Sequence, residues 1–260
     1  HLGTVGWQSF FRAFRDCVNM TSFTPGTTST SDVTTMQDMF SGCSSLTSLD
    51  LTTFDTSNVT NFIGTFYNLT SLTSLNVSNW DTSNATTMRA MFRVPNLTTL
   101  DLSSFDTSKV TDMAYMFQLC ESLTSVDISH FRTPALTGGL FEMFRRSPIA
   151  EVDIRGFDTS NVTSLYFAFE WFQYPTKVAK GLETLDVSNM TNLYFAFLYE
   201  GPGTEQYDKM LINYSRQNLQ SNVPLYVHQA KYTPGGEAEA ARQFIVDNYG
   251  WVITDGGPVV

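Results

Sequence analysis

The sequence predicts an α/β solenoid of short parallel strands and short helices, closed by a C-terminal cap. Three recurrences in its 260 residues predict it. An apolar pair returns as Phe10/Phe14, Met36/Phe40, Phe62/Phe66, Met88/Phe92, Met113/Phe117, Leu140/Phe144, Leu165/Phe169 and Leu193/Phe197. The first steps of this series are 26 residues, and the later ones vary between 25 and 28. A leucine block recurs between the pairs, as LTSLDL at 46–51, LTSLNV at 72–77, LTTLDL at 97–102, LTSVDI at 123–128 and LETLDV at 182–187. A third block follows, as FDTSNV at 54–59, WDTSNA at 80–85, FDTSKV at 105–110 and FDTSNV at 157–162. A fixed period of this length is the signature of stacked repeats, none of which can bury its apolar side alone.

Each block predicts one element. In the leucine block the last two apolar residues are two apart, which places them on one face of a short strand. The residue between them, such as Asp50, Asp101 or Asp186, then faces outward. In F-D-T-S-N the Asp is suited to accept backbone N–H groups, and Ser-Asn favours the bend. The segment T-x-M-x-x-M-F-x-x-C spaces its apolar residues at i, i+3, i+4 and i+7, the stripe of a short helix. A preceding Ser, Thr or Asn can cap that helix. Residues 1–200 thus form a repeat body of about eight units, the first incomplete, and residues 201–260 a capping region with strand-helix-strand order. In the cap, Ala238, Ala241, Phe244 and Ile245 share one helical face suited to seal the last open core layer. No such cap precedes Trp7, which starts inside a unit, so further chain is expected upstream.

The string L-x-x-L-D-L-S-x-F-D-T-S-N-V-T-x-M-x-x-M-F-x-x-C resembles the BspA-like leucine-rich repeats of bacterial surface proteins. The resemblance covers about residues 5–200, most cleanly 33–189, and extends to the variant known from lactic-acid bacteria and mycoplasmas. It implies a leucine-rich-repeat-like, right-handed coil, secretion or surface display, and adhesion or host binding. Several positions depart from the pattern. Arg132 replaces the turn Asp, Gly138-Gly139 marks a longer connection, residues 173–181 are an insertion, and 200–220 leave the repeat.

Composition narrows the function classes. A formal charge of −10 argues against nucleic acid, which demands clustered cations. No apolar run approaches the length of a membrane-spanning helix. Cys17, Cys43 and Cys120 are odd in number and share one core-facing slot, which points to packing. His1, His130 and His228 lie far apart, no metal-ligand spacing occurs, and nothing singles out a nucleophile among the serines. No enzyme activity and no cofactor are expected. The outward Asp row would suit cations only weakly, because a calcium site needs several converging oxygens. The sequons at Asn58, Asn84 and Asn161 follow from the turn chemistry of the repeat.

The candidate site comes from comparing units within the chain. Outward strand positions hardly vary, whereas the slots beside the Met and Phe residues vary freely and carry Tyr, Phe, Trp and Arg. These types dominate binding hot spots. The ligand-binding candidates are Tyr67, Arg89, Arg93, Tyr115, Phe141, Tyr166, Phe167, Trp171, Tyr194 and Tyr199. The rings after Phe167 admit two readings: extra core beneath the insertion or the cap, or part of an exposed gripping row. The function expected is a non-enzymatic adhesion module, extracellular or cell-surface, that binds a protein or glycan on another cell. The alternative is a structural spacer or a component of a larger assembly, such as a cell-wall layer or a phage appendage.

Overall fold

The computed structural model describes residues 6–170, 178–194 and 202–260. Its backbone is organised by hydrogen bonds from each unit to the next. Phe10, Arg12, Phe14 and Asp16 donate their N–H groups to Thr35, Gln37, Met39 and Ser41 at 2.7–2.9 Å. One unit later, Met36, Asp38, Phe40 and Gly42 donate to Asn61, Ile63, Thr65 and Tyr67 at 2.8–3.1 Å. Every second residue bonds forward, as in a parallel ladder. Parallel bridges link Thr35, Asn61, Thr87 and Asp112 in succession. Two short strand pairs lie beside this ladder: β1 (Ser22–Phe23) is parallel to β2 (Ser48–Leu49), and β3 (Glu151–Asp153) to β4 (Val178–Lys180). Strand β4 falls in the expected insertion 173–181, whereas the leucine block at 182–187 opens as a 3₁₀ turn and those at 72–77, 97–102 and 123–128 run extended without forming strands.

The segments expected as short helices are built differently. Each consists of successive β-turns: Ala13 N–H bonds Phe10 C=O and Cys17 N–H bonds Phe14 C=O, at 3.1 and 3.2 Å. The third residue of each turn takes positive φ, at Arg12, Asp38, Gly64, Ala90, Tyr115, Glu142 and Phe167 in the first turns. That is the type II arrangement. Two consecutive four-residue turns place apolar side chains at the same i, i+3, i+4 and i+7 positions as a helix. The alternate N–H groups, which a helix would consume internally, are thereby free to bond the next unit.

The corners are fixed by side chains. Asp50 Oδ1 accepts the Thr52 N–H at 3.1 Å and its hydroxyl at 2.7 Å, and Asp55 Oδ1 accepts the same two groups of Ser57 at 3.0 and 2.6 Å. Asn76, Asp81, Asp101, Asp106, Asp127, Asp158 and Asp186 repeat the contact two residues on. The Asn58 and Asn84 amides reach back to the C=O of Ser31 and Ser57, both at 2.8 Å. A buried threonine column completes the corner. The Thr56 hydroxyl donates to Asp81 C=O at 2.9 Å and accepts Asp81 N–H at 3.0 Å. Thr82 does the same to Asp106, at 2.9 and 2.8 Å, and Thr30, Thr107 and Thr133 act alike in their units. One hydroxyl thus satisfies both backbone groups of a residue in the neighbouring unit.

Inside, the rings of Phe14, Phe40, Phe66, Phe92, Phe117, Phe144 and Phe169 form one stack. Successive centroids lie 5.5–6.4 Å apart, with interplanar angles of 4–21°. The buried leucines of the strand blocks pack against this column. Cys43 and Cys120 are buried in it and donate to Phe14 and Phe92 C=O at 2.9 and 2.6 Å. Burial pushes their thiols up, to about 11 and about 12. Cys17, expected in the same core slot, is instead exposed, because no described unit stacks before its own.

The end of the chain differs from expectation in one element. Helix α1 (Thr204–Ser215) buries Tyr207, Met210, Leu211 and Tyr214. It lies against the 3₁₀ turn Leu182–Thr184, and the Tyr214 hydroxyl bonds Leu182 C=O at 2.9 Å. Strand β5 (Pro224–Tyr226), helix α2 (Glu237–Tyr249) and strand β6 (Val252–Thr254) follow, β5 and β6 being parallel. Helix α2 packs on α1. Its Ala238, Ala241 and Ile245 are buried, but Phe244 is 43% exposed and meets Tyr249 at the surface. Arg242 donates to Asp255 at 2.7 Å, and the Tyr207 hydroxyl shares that carboxylate, also at 2.7 Å.

Two measurements test this construction. Thr82→Val strands the N–H and C=O of Asp106, so chemical denaturation should show a loss of about 1–3 kcal/mol. The corner carboxylates titrate below their ordinary value of 3.8: Asp50 and Asp55 chiefly through the Thr52 and Ser57 hydroxyls, Asp101 and Asp106 chiefly through the Ser103 and Ser108 amides. Their folded pKa lies below the unfolded one. Their stabilisation is therefore present above that value and lost as pH falls through the lowered ones. The melting temperature should hold steady down to about pH 5 and fall below about pH 4.

Candidate functional site: an aromatic and arginine band

The paired turns put two residues per turn on the outer surface, one at the second turn position and one at the positive-φ third position. A residue at the third position commits its N–H to the next unit: Tyr115 N–H bonds Phe141 C=O at 2.8 Å. Its side chain leaves the stack, so the scaffold fixes its place but not its type. One sibling unit carries glycine there, Gly64, while Arg12, Asp38, Ala90 and Glu142 hold the same positive φ. Tyr115 and Phe167 hold the same conformation at φ 62 and 55. Left-handed backbone costs a bulky residue about 1–2 kcal/mol, so the rings are kept against a local penalty.

Stacking brings these side chains into contact. The Arg89 guanidinium lies 4.7 Å over the Tyr115 ring and bonds Asp112 at 3.1 Å. Tyr115 meets Phe141 edge-on at 5.1 Å, Phe141 stacks on Tyr166 at 5.4 Å, and Tyr166 meets Phe167 at 4.3 Å. Arg145 sits 5.1 Å over Phe167. Because Arg145 belongs to the second turn and Phe167 to the first, the two columns form one face. In the second-turn column Arg93 lies 4.6 Å over Tyr67 and bonds its hydroxyl. These rings and cations are half-buried, each packed by its neighbours and open outward. Tyr194 is exposed and joins Tyr226 at 5.7 Å, beside β5. Trp171 and Tyr199 lie outside the described residues, as do residues 173–177 of the insertion.

The band extends beyond the residues the composition argument chose. Phe11 and Arg12 repeat the same chemistry as a separate patch at the first unit, beyond Gln37/Asp38 and Ile63/Gly64, with Arg12 4.8 Å over Phe11 and 3.2 Å from Asp38. Arg145 is the band's electrostatic centre, pairing with Glu142 at 3.0 Å and with Glu170. Glu142 also accepts from Gln118. Register alone would have found them, since Phe11 shares the slot of Arg89, Arg145 that of Arg93, and Arg12 and Glu142 that of Tyr115. Burial works against the Arg145 charge, but Glu142 and then Glu170 more than offset it and its pKa rises. Burial raises the Glu170 pKa, with Arg145 opposing. Burial also raises the Tyr115 hydroxyl, so it stays protonated. Among the described residues no three of His, Cys, Asp or Glu converge into a group that would hold a metal. No helix of the described residues is long and apolar enough to cross a membrane.

The same unit-by-unit register is what a family model matches, in four overlapping spans at residues 8–131, 63–173, 93–199 and 139–221. The chain belongs to the family described as Mycoplasma protein of unknown function, DUF285. Overlapping matches offset along the chain mark DUF285 here as a repeat of the BspA-like kind. No curated protein and no solved structure matches the chain. Among this chain's own units the phenylalanine column, the Asx corners (Arg132 apart) and the threonine column recur with little change, and the band is the part that varies.

Arg145→Met would leave Glu142 and Glu170 facing each other without their cation. Denaturation at pH 7 should show a loss of about 2–4 kcal/mol, below the fully buried range because Arg145 is about a third exposed. A carboxyl whose folded pKa is raised gains stability as pH falls through it, so the deficit should shrink by pH 5.

Proposed function

We propose that this chain is a non-enzymatic binding module of the leucine-rich, BspA-like kind. Its repeat body would be a right-handed solenoid whose units are paired β-turns and short parallel strands, displayed outside the cell, with the C-terminal region and its two helices as the cap. The observation that carries the proposal is the segregation of side chains. Hydroxyls and Asx corners are nearly uniform from unit to unit, whereas aromatic rings and arginines collect in one contiguous band. Six of the fifteen Lys and Arg residues lie in the band's slots: Arg12, Arg15, Arg89, Arg93, Arg145 and Arg146. Asp16, Asp38, Glu142 and Glu170 share those slots and Asp112 pairs with Arg89, so the face is aromatic with largely paired charges, on a body of net charge −10.

The chemistry of that face suits recognition rather than catalysis. Rings held by neighbours lose little entropy when they are covered, and arginines already stacked on tyrosines offer oriented donors. Two of the rings also occupy backbone positions where glycine would be less strained, a feature that packing does not call for. The partner would be a protein or a glycan on another cell surface. A uniform hydroxyl-and-Asx surface elsewhere would equally serve a spacer in a larger assembly, and the band is what favours binding.

Attachment of the full chain to cells and to immobilised host matrix should separate the two readings. Arg93→Ala combined with Tyr166→Ala should weaken attachment about thirtyfold, the loss of one anchor worth ~2 kcal/mol, while the melting temperature shifts by only a few degrees. Attachment equal to the unaltered chain would leave the spacer as the better account.

A further inference from the structure

The bridge ladder that runs through Thr35, Asn61, Thr87 and Asp112 stops at Asp112 and resumes between Ser164 and Asn192. The unit in the gap carries Gly138-Gly139, where its neighbours carry Thr111-Asp112 and Thr163-Ser164. Neither glycine is easily replaced. A Cβ on Gly138 would lie 2.8 Å from the Asp112 Cβ, and Gly139 has φ +81° with Ser164 C=O 3.1 Å from where its Cβ would be. With two side chains missing from the ladder, a hollow of about 340 Å³ opens beside the band. The two glycines line it together with Tyr115, Phe141 and Arg89, and Thr163 and Ser164 supply hydroxyls.

We propose that this hollow is a subsite for one neutral pyranose ring of a glycan, an assignment that rests on the binding-module reading above. The hollow is shallow and open to solvent, so it would cover one face of a single ring rather than enclose a ligand. Tyr115 and Phe141 offer apolar ring surface to the C–H face of a sugar. The Tyr115, Thr163 and Ser164 hydroxyls can each donate and accept, which matches a polyol. The glycine backbone lets the ring approach where a threonine would block it.

Charge selects among ligands of that size. The only cation lining the hollow is Arg89, already neutralised by Asp112 at 3.1 Å and stacked on Tyr115. It retains N–H donors for hydroxyl groups but supplies no uncompensated charge for a phosphate, sulfate or uronate. The net −10 of the whole chain disfavours anions further.

Saturation-transfer NMR on the full chain tests the assignment, with glucose, galactose, mannose, N-acetylglucosamine and glucuronate as probes at up to about 10 mM. At least one neutral sugar should receive saturation on its ring protons, and glucuronate should receive less than glucose. Phe141→Ala, which removes a wall, and Thr163→Trp, which fills the hollow from an exposed position, should each weaken that binding at least tenfold with the melting temperature retained. The assignment is overturned if no neutral sugar responds, if glucuronate binds best, or if both variants bind as the unaltered chain does. Should sugars fail while the Arg93/Tyr166 variant still loses attachment, the subsite falls and the binding-module reading stands. Should sugars bind the hollow while that variant attaches normally, the subsite stands and the broader band loses its role.

Discussion

Each unit of this chain completes the hydrogen bonding of its neighbour, and the rest of the structure depends on that dependence. The segment from Met36 to Cys43 has too few internal bonds to be a helix and too many turns to be a strand. Its alternate N–H groups are satisfied only because another copy lies one step along. The threonine column does the same at the corner, where one hydroxyl serves both polar groups of the next unit's Asp or Arg132. Hydrophobic burial supplies the drive, through the phenylalanine stack and the leucine blocks, and the hydrogen bonds supply the register.

That division of labour explains where variation is tolerated. Substituting within the spine changes contacts with the rings above and below, and altering a corner strands backbone groups. The outer slots of the paired turns meet neither constraint. Aromatic residues there could have been replaced by smaller ones at no cost to the stack, and at Tyr115 and Phe167 with relief of backbone strain.

Much of the architecture was legible because it is written in a period. The Phe14-to-Phe169 column and the Asp55 corner follow from residue type and register. The paired turns were not, because two β-turns and one helical turn space their apolar side chains identically, and only hydrogen-bond partners one unit away tell them apart. The burial of Thr56 and Thr82 carried no signal in the sequence, since it is set by the neighbouring unit's backbone that each hydroxyl satisfies. Helix α1 hid behind tyrosines, although Tyr207, Met210, Leu211 and Tyr214 have helical spacing. Phe244 was assigned inward on the same spacing, but α1 had already taken the place beside the last unit. For the band, composition picked out Tyr115 and Phe141, but Arg145 with its two carboxylates needed the register. Gly138-Gly139 looked like a longer connection and is a gap in the ladder.

The ladder also sets how the molecule would answer to tension. Bonds between units point along the stacking axis, so a pull on the two chain ends peels the outermost unit and leaves the others loaded only in turn. Each release would free one unit's worth of chain, roughly 90 Å when extended. A body that yields stepwise in this way dissipates a sudden tug over many small ruptures, and the remainder stays folded.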